Sequence, residues 1–297
     1  MQTDSPYTRR PTSLGPLRGS AADDVRSLVA SARLAWAIEG NWAEPLYLTV
    51  YLVIRPLAFL GLFLAVLSIG GSLNPASIGF VVVGQAVFQI VGAGLQGPTH
   101  ALLDDRERYR TIRYIFATPS SLLPVSVGRA LVKAAIAGIS ATIVIGVGAI
   151  LGMPLRSGGI DLILLTVVML LGLLSIVGIG ITLGAVCVQL RNDAWGYPQA
   201  VAGSVFLLCG AIFPLDTLPA PLHALGAALP ITWWIEGVRR AILGTTSPGL
   251  LGTLATSELL LALLVGTLVI LAVTPRLFKL GIDRARDKGY LDRNTAS

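Results

Sequence analysis

The chain predicts an all-α integral membrane fold, on three observations. Apolar runs recur along almost its whole length, at about 46–69, 78–97, 125–151, 162–186, 197–213 and 250–273. Each of the longer ones exceeds the ~18 residues that a helix needs to cross a hydrocarbon core about 30 Å thick. Charged residues make up 13% of the chain and hydrophobic residues 54%, whereas a soluble domain carries about 25% charged residues. Six spans leave no stretch able to bury a soluble core, so residues 22–275 read as one membrane domain. Residues 1–21 read as a disordered tail and 276–297 as a cytoplasmic tail.

The net charge of +6 does not call for nucleic acid, because its distribution follows the positive-inside rule. Arg9, Arg10, Arg18, Arg26 and Arg33 precede the first span, and Arg106, Arg108, Arg110 and Arg113 follow the second. Arg191 follows the fourth, and Arg276, Lys279, Arg284, Arg286, Lys288 and Arg293 follow the sixth. The opposite side carries only Arg156, Arg239 and Arg240. Both termini are therefore expected in the cytoplasm of a cell whose plasma membrane the chain crosses. No apolar segment accompanies the early arginines, so no cleavable signal peptide is expected. Cys187 and Cys209 form neither a disulfide framework nor a metal spacing and read as apolar fillers. No G-x-x-x-x-G-K-[ST] phosphate loop occurs.

Residues 1–20 are rich in Pro, Ser, Thr and Arg, a composition too polar to bury a core. From 22 to 42, Asp23 or Asp24 can cap a helix whose apolar positions include Val25, Leu28, Val29, Leu34 and Trp36. Running straight into the first span, it reads as an amphipathic helix lying in the cytoplasmic interface. The first span contains Arg55-Pro56, either a charge facing a pathway or the true start of the span. The second carries Gln85, Gln89 and Gln96 on one face, suited to helix–helix hydrogen bonds or a wet path.

The polar segment after it reads THALLDDRERYRTIRYIFATPSSLLP. Its mixed charges and aromatic residues predict a short helix on which another protein docks. Spans three and four are glycine-rich, including Gly172 and Gly180-x-x-x-Gly184, which permits close helix approach. Arg129 and Lys133 are expected to snorkel to headgroups. Phe213–Gly244, broken by Pro214, Pro219, Pro221 and Pro230, is too apolar for a loop and too interrupted for a span. It predicts a re-entrant hairpin on the outer side, with Trp233 and Trp234 at the interface and Glu236–Arg240 as a helix-surface ion pair.

Two of these patterns, in this order among six spans, resemble the ABC-2 family of ABC transporter permeases, most nearly its daunorubicin-type multidrug exporters. The first is Leu103-Asp104-Asp105-Arg106-Glu107-Arg108 through Phe116-Ala117-Thr118-Pro119, although Tyr109 stands where the family carries glycine. The second is Gly210-Ala211-Ile212-Phe213-Pro214-Leu215-Asp216 with Leu229-Pro230-Ile231-Thr232 and Glu236-Gly237-Val238-Arg239.

The resemblance implies a non-enzymatic transport subunit of a drug-efflux or antibiotic-resistance type. It pairs with a second permease as homodimer or heterodimer and is driven by two copies of a separate P-loop ATP-binding subunit that carry ATP and Mg. It further implies that Asp104, Asp105, Arg106, Glu107, Arg108, Arg110, Arg113, Tyr114, Phe116 and Pro119 belong to the coupling element. Phe213, Pro214, Pro230, Trp233, Trp234, Glu236 and Arg239 belong to the outer hairpin. Candidate pathway residues are Arg55, Gln85, Gln89, Thr142 and Thr182, with Thr166 beside them. Mostly uncharged walls suit a hydrophobic drug or lipid. A polysaccharide or lipid-linked glycan exporter is the alternative, and a gradient-driven carrier lies outside the class. An intramembrane enzyme would need clustered catalytic groups at membrane depth, and no H-E-x-x-H or facing Asp pair occurs.

Overall fold

The computed structural model describes residues 21–41, 46, 49–107, 122–190, 194–245 and 249–289. Ten helices are described: α1 (Ala21–Asn41), α2 (Val50–Ile69), α3 (Pro75–Glu107), α4 (Leu122–Ile150), α5 (Leu162–Cys187), α6 (Gly196–Leu208), α7 (Ala220–Ala228), α8 (Pro230–Leu243), α9 (Leu250–Thr253) and α10 (Thr256–Asp287). No strand occurs among the described residues.

Five helices, α2, α3, α4, α5 and α10, are long and apolar enough to cross a membrane. The fifth expected run, 197–213, differs. Its helix α6 has 13 residues, about 20 Å at 1.5 Å per residue, and it ends at Gly210, whose φ of +69° favours glycine. The apolar stretch that follows is not one helix either. Pro214 leads a 3-10 turn, Leu215–Thr217, and Pro219 and Pro230 stand at the starts of α7 and α8, where a missing N–H costs nothing. At the other end, α10 runs unbroken to Asp287. Much of the segment read as a C-terminal tail is therefore the last three turns of a helix.

Helix α3 is the hub, packed on α4, α5, α6 and α8. In its most apolar window 67% of residues are buried, against 11% for α2 and 17% for α10, which leave broad apolar faces open. Lipid provides no water for freed backbone groups, so proline in a span needs a local remedy. Pro56 takes away the hydrogen bond of Leu52, and the Ser140 hydroxyl of α4 donates to the Leu52 carbonyl at 2.8 Å. Pro98 likewise frees the carbonyl of Gly94, against which Gly180 of α5 lies so closely that a Cβ would collide with it. The Thr99 hydroxyl donates to Leu95 O at 3.1 Å and Gly180 O at 3.3 Å in the same crossing. The glycines expected to bring helices together do so here, and again at Gly172, where a Cβ would enter the Trp234 indole.

Because the obstacle at Gly180 is backbone, Gly180→Ala should force α3 and α5 apart. A cost of about 1–3 kcal/mol is expected, read as a lower Tm in detergent. Gly146→Ala, with nothing within 4 Å of the new Cβ, should leave Tm unchanged or raise it.

Candidate functional site

Two buried polar clusters occupy opposite ends of the bundle. The first lies where α3 ends and α4 begins. Thr99, Leu102, Leu103 and Arg106 follow one stripe of α3, and all are buried. Arg106 therefore points inward. It donates to the Val188 carbonyl beyond α5 at 2.7 Å and pairs with Glu107. Glu107 in turn accepts from the Trp195 indole at 3.0 Å, and that ring stacks on His100. Asp105 is 2% exposed and binds Arg129 of α4 at 2.6 Å. Arg129 also donates to Ala101 O at 3.1 Å.

One turn along α4, the stem of Lys133 crosses Gly97 and its ammonium pairs with Glu39 of α1. Helix α1 itself lies against α4 at Gly128, where any Cβ would strike the Ser31 hydroxyl. The expectation that Arg129 snorkels to headgroups is thus corrected. Arg129 finds the Asp105 carboxylate inside the bundle, which offsets the cost of taking its charge out of water, while the Lys133–Glu39 pair stays partly exposed. Of the coupling residues, Asp105 and Arg106 are buried, and Asp104 and Glu107 are partly so. Arg108, Arg110, Arg113, Tyr114, Phe116 and Pro119 lie outside the described residues. The stripe Thr99–Leu102–Leu103–Arg106, at i, i+3, i+4 and i+7, was the signal in the sequence that Arg106 turns inward.

The second cluster is on α8, at the opposite end. Arg239 is 3% exposed. Its guanidinium donates to Gly210 O at 2.8 Å and Ala211 O at 2.9 Å, the carbonyls at the broken end of α6. It also donates to Phe80 O on α3, at 3.3 Å from Nε and 3.2 Å from Nη2, and lies 3.4 Å from the centroid of the Phe80 ring. Gly84, one turn on, makes room, because a Cβ there would strike the Ala211 carbonyl. One turn back, Glu236 is fully buried and accepts from Arg240 at 3.2 Å. Arg240 continues to Leu254 O at 2.9 Å and Thr256 Oγ1 at 3.3 Å.

The pair expected on a helix surface is therefore inside. Helix α8 is enclosed by α3, α5, α7 and α10 and has almost no solvent face. Trp234 is corrected in the same way: fully buried beside Gly172, it is a core side chain and not an interfacial one. Trp233 is half-buried and donates to Ala227 O at 2.9 Å. Phe213, Pro214 and Pro230 are partly buried.

The pathway candidates are not brought together. Gln85 is buried in the hub helix, and its Oε1 has no hydrogen-bond partner among the described residues. Gln89 is half-buried. Arg55 is exposed near the start of α2, 5.4 Å over the Tyr51 ring. Thr142 and Thr166 donate to their own helices. Thr182 donates to Gly178 O and to Thr274 Oγ1 of α10, a helix–helix contact. A groove of about 190 Å³, lined by Ile90, Leu131, Ala134, Ala135, Gly138, Met169 and Leu173, is almost wholly apolar and includes none of these candidates.

The family model for ABC-2 type transporters matches residues 34–243, from the second half of α1 through α8. That is well over half of the chain, and the chain belongs to this family. It is a multi-pass membrane protein of the ABC permease class, whose members normally act with an ATP-binding subunit. Among curated proteins, none matches the chain.

Replacing Arg239 by Met strands three buried carbonyls and should cost about 3–5 kcal/mol, read as a large fall in Tm. Arg239→Lys, which keeps the charge but lacks the planar fork, should recover only part of it. Asp161 caps α5, accepting from Leu164 N at 3.0 Å, with Arg156 also at 3.0 Å. The Leu164 N–H, and Arg156 after it, hold its carboxyl below the ordinary value of 3.8. A depressed carboxylate stabilises the fold above its unfolded pKa and loses that contribution as pH falls through its folded value. Asp161→Ala should therefore lower Tm at neutral pH, with the difference from wild type closing below about pH 4.

Proposed function

We propose that this chain is the membrane-spanning subunit of an ATP-driven exporter that moves a hydrophobic, drug-like or lipid substrate out of the cytoplasm or inner leaflet. Two permeases pair, as homodimer or heterodimer, and two copies of a separate P-loop subunit supply ATP, Mg and hydrolysis. The end of the bundle holding α1, the end of α3 and the start of α4 faces the cytoplasm of a plasma membrane, as the bias of Lys and Arg supports.

The observation that carries the reading is the buried ionic brace at that end. Residues 102–121 form the coupling element in this reading. Their anchor, Asp105–Arg106–Glu107, is tied to α4 through Arg129 and to the α5–α6 junction through Val188 and Trp195. Lys133–Glu39 extends the tie to α1. A push on this one element reaches four helices as a rigid unit, the kind of linkage a rigid-body switch needs. Asp105 and Arg106 then transmit force, while Arg108, Arg110, Arg113, Tyr114 and Phe116 supply the docking surface.

Helix α1 acts as an elbow in the interface, in keeping with its exposed Val25, Val29 and Trp36. Helix α6 forms the fifth, broken span, and the hairpin α7–α8 the re-entrant outer element between it and α10, anchored by Arg239. The apolar groove between α3, α4 and α5 favours a hydrophobic substrate over a glycan, which would need aromatic platforms and many hydrogen bonds.

Isolation of the chain from its native membrane in mild detergent, with mass spectrometry of what remains bound, tests this. A stoichiometric P-loop ATPase is expected, and a second permease beside it would identify a heterodimer. A folded, intact preparation with no ATPase overturns the exporter.

A further inference from the structure

Helix α10 is much longer than the hydrocarbon core of a bilayer is thick. Its 32 residues span about 48 Å. From Leu259 to Pro275 it carries no charged residue, and then Arg276, Lys279, Arg284, Arg286 and Lys288 follow within four turns, against Asp283 and Asp287. Arg276 lies 20 residues after Thr256, about 30 Å along the axis, which is where a hydrocarbon core that begins near Thr256 ends. Lys279 is one turn further, inside a headgroup layer about 5–7 Å deep.

The inward face of this extension is taken. Phe278, Ile282 and Ala285 are buried in the second hydrophobic cluster, and Gly281 rests against Ala185 of α5. The basic side chains are therefore turned outward, and all five are exposed. None of Arg276, Lys279, Arg284 and Arg286 forms an ion pair with a described carboxylate. Next to the first two stand Leu277 and Leu280, 44% and 52% exposed, continuing the apolar face that Val265, Leu268 and Val269 leave open within the span.

We propose that this face of α10, centred on Arg276 and Lys279, binds the headgroups of anionic phospholipids in the adjoining leaflet. Phosphate oxygens meet the guanidinium and ammonium, and acyl chains lie along Leu277, Leu280 and the apolar face above them. Cations alternating with exposed leucines at headgroup depth match a lipid, which presents both charge and hydrocarbon. An acidic protein surface would call for the charges alone. The assignment rests on α10 as a spanning helix and not on the export reading, since lipid binding needs neither ATP nor a substrate. The two deepest cations carry most of it, because attraction to the surface falls off within a Debye length.

The full-length chain, with any co-isolated subunits, is placed in phosphatidylcholine nanodiscs with and without phosphatidylglycerol, and retained lipid is counted by native mass spectrometry. Wild type should retain phosphatidylglycerol in preference. Arg276→Gln with Lys279→Gln should cut that preference by roughly tenfold or more, at about fivefold per cation near the surface. Arg284→Gln with Arg286→Gln, further from the bilayer, should cut it less, and the charge-preserving Arg276→Lys with Lys279→Arg should keep it. An unchanged Tm in all three double variants separates lost binding from lost fold. If the first double variant unfolds, a fall in wild-type preference with rising salt supplies the same test, and a salt-independent preference counts against the site. Equal retention by wild type and a folded Arg276→Gln/Lys279→Gln variant overturns the proposal. So does a variant that keeps its phosphatidylglycerol but loses a bound ATPase, which would assign the face to a protein partner.

Discussion

A carbonyl freed inside a bilayer has no water to turn to, and this chain frees several. Each proline within a span removes a donor, and α6 stops short of the distance it would need to cross. The bundle is arranged around the remedies. Ser140 reaches from α4 to the carbonyl that Pro56 leaves open on α2, and Gly180 of α5 comes up against Gly94, opposite Pro98. Arg239 gathers the last carbonyls of α6 and one from α3 onto a single guanidinium. At Pro56 and at the end of α6 the group that answers the break comes from a different helix, so these breaks help to determine which helices are neighbours.

The same logic explains why so many charges are inside. A buried guanidinium or carboxylate is costly alone and tolerable when its hydrogen-bonding capacity is filled. Arg239 has the planar set of donors for several carbonyls at once, and the Phe80 ring covers its face. At the other end, Asp105–Arg129 and Arg106 with Glu107 and Trp195 bind the ends of α3, α4 and α5. Removing one member of such a network costs more than the pair contributes, because the partner is then left charged and dry. The two ends are therefore stiff, while the apolar faces of α2 and α10 remain open.

Much of this was legible in the residues. The membrane class followed from the apolar runs, and the close helix crossings from Gly172 and Gly180. The family was legible in the stretch around Asp105 and in the hairpin after Gly210, and the matched residues 34–243 include both. The inward turn of Arg106 could have been read from the stripe it completes with Thr99, Leu102 and Leu103. The burial of Trp234, Glu236 and Arg240 could not. Helix α8 has charged residues at ordinary surface spacings, and nothing within it reveals that α3, α5, α7 and α10 enclose it.

What belongs to the chain alone, then, is local: apolar length, helix period, proline breaks and the sign of the charge on either side of each span. These act within one or two turns and need no partner to be read. The tertiary structure decided where each buried charge finds its counterpart. Arg106 meets Val188, 82 residues away, and Arg239 meets Phe80, 159 residues away. An arginine followed by apolar residues has the same local pattern whether it snorkels to a headgroup or caps a distant helix. Only the packing of the other helices determines which of the two is lower in energy.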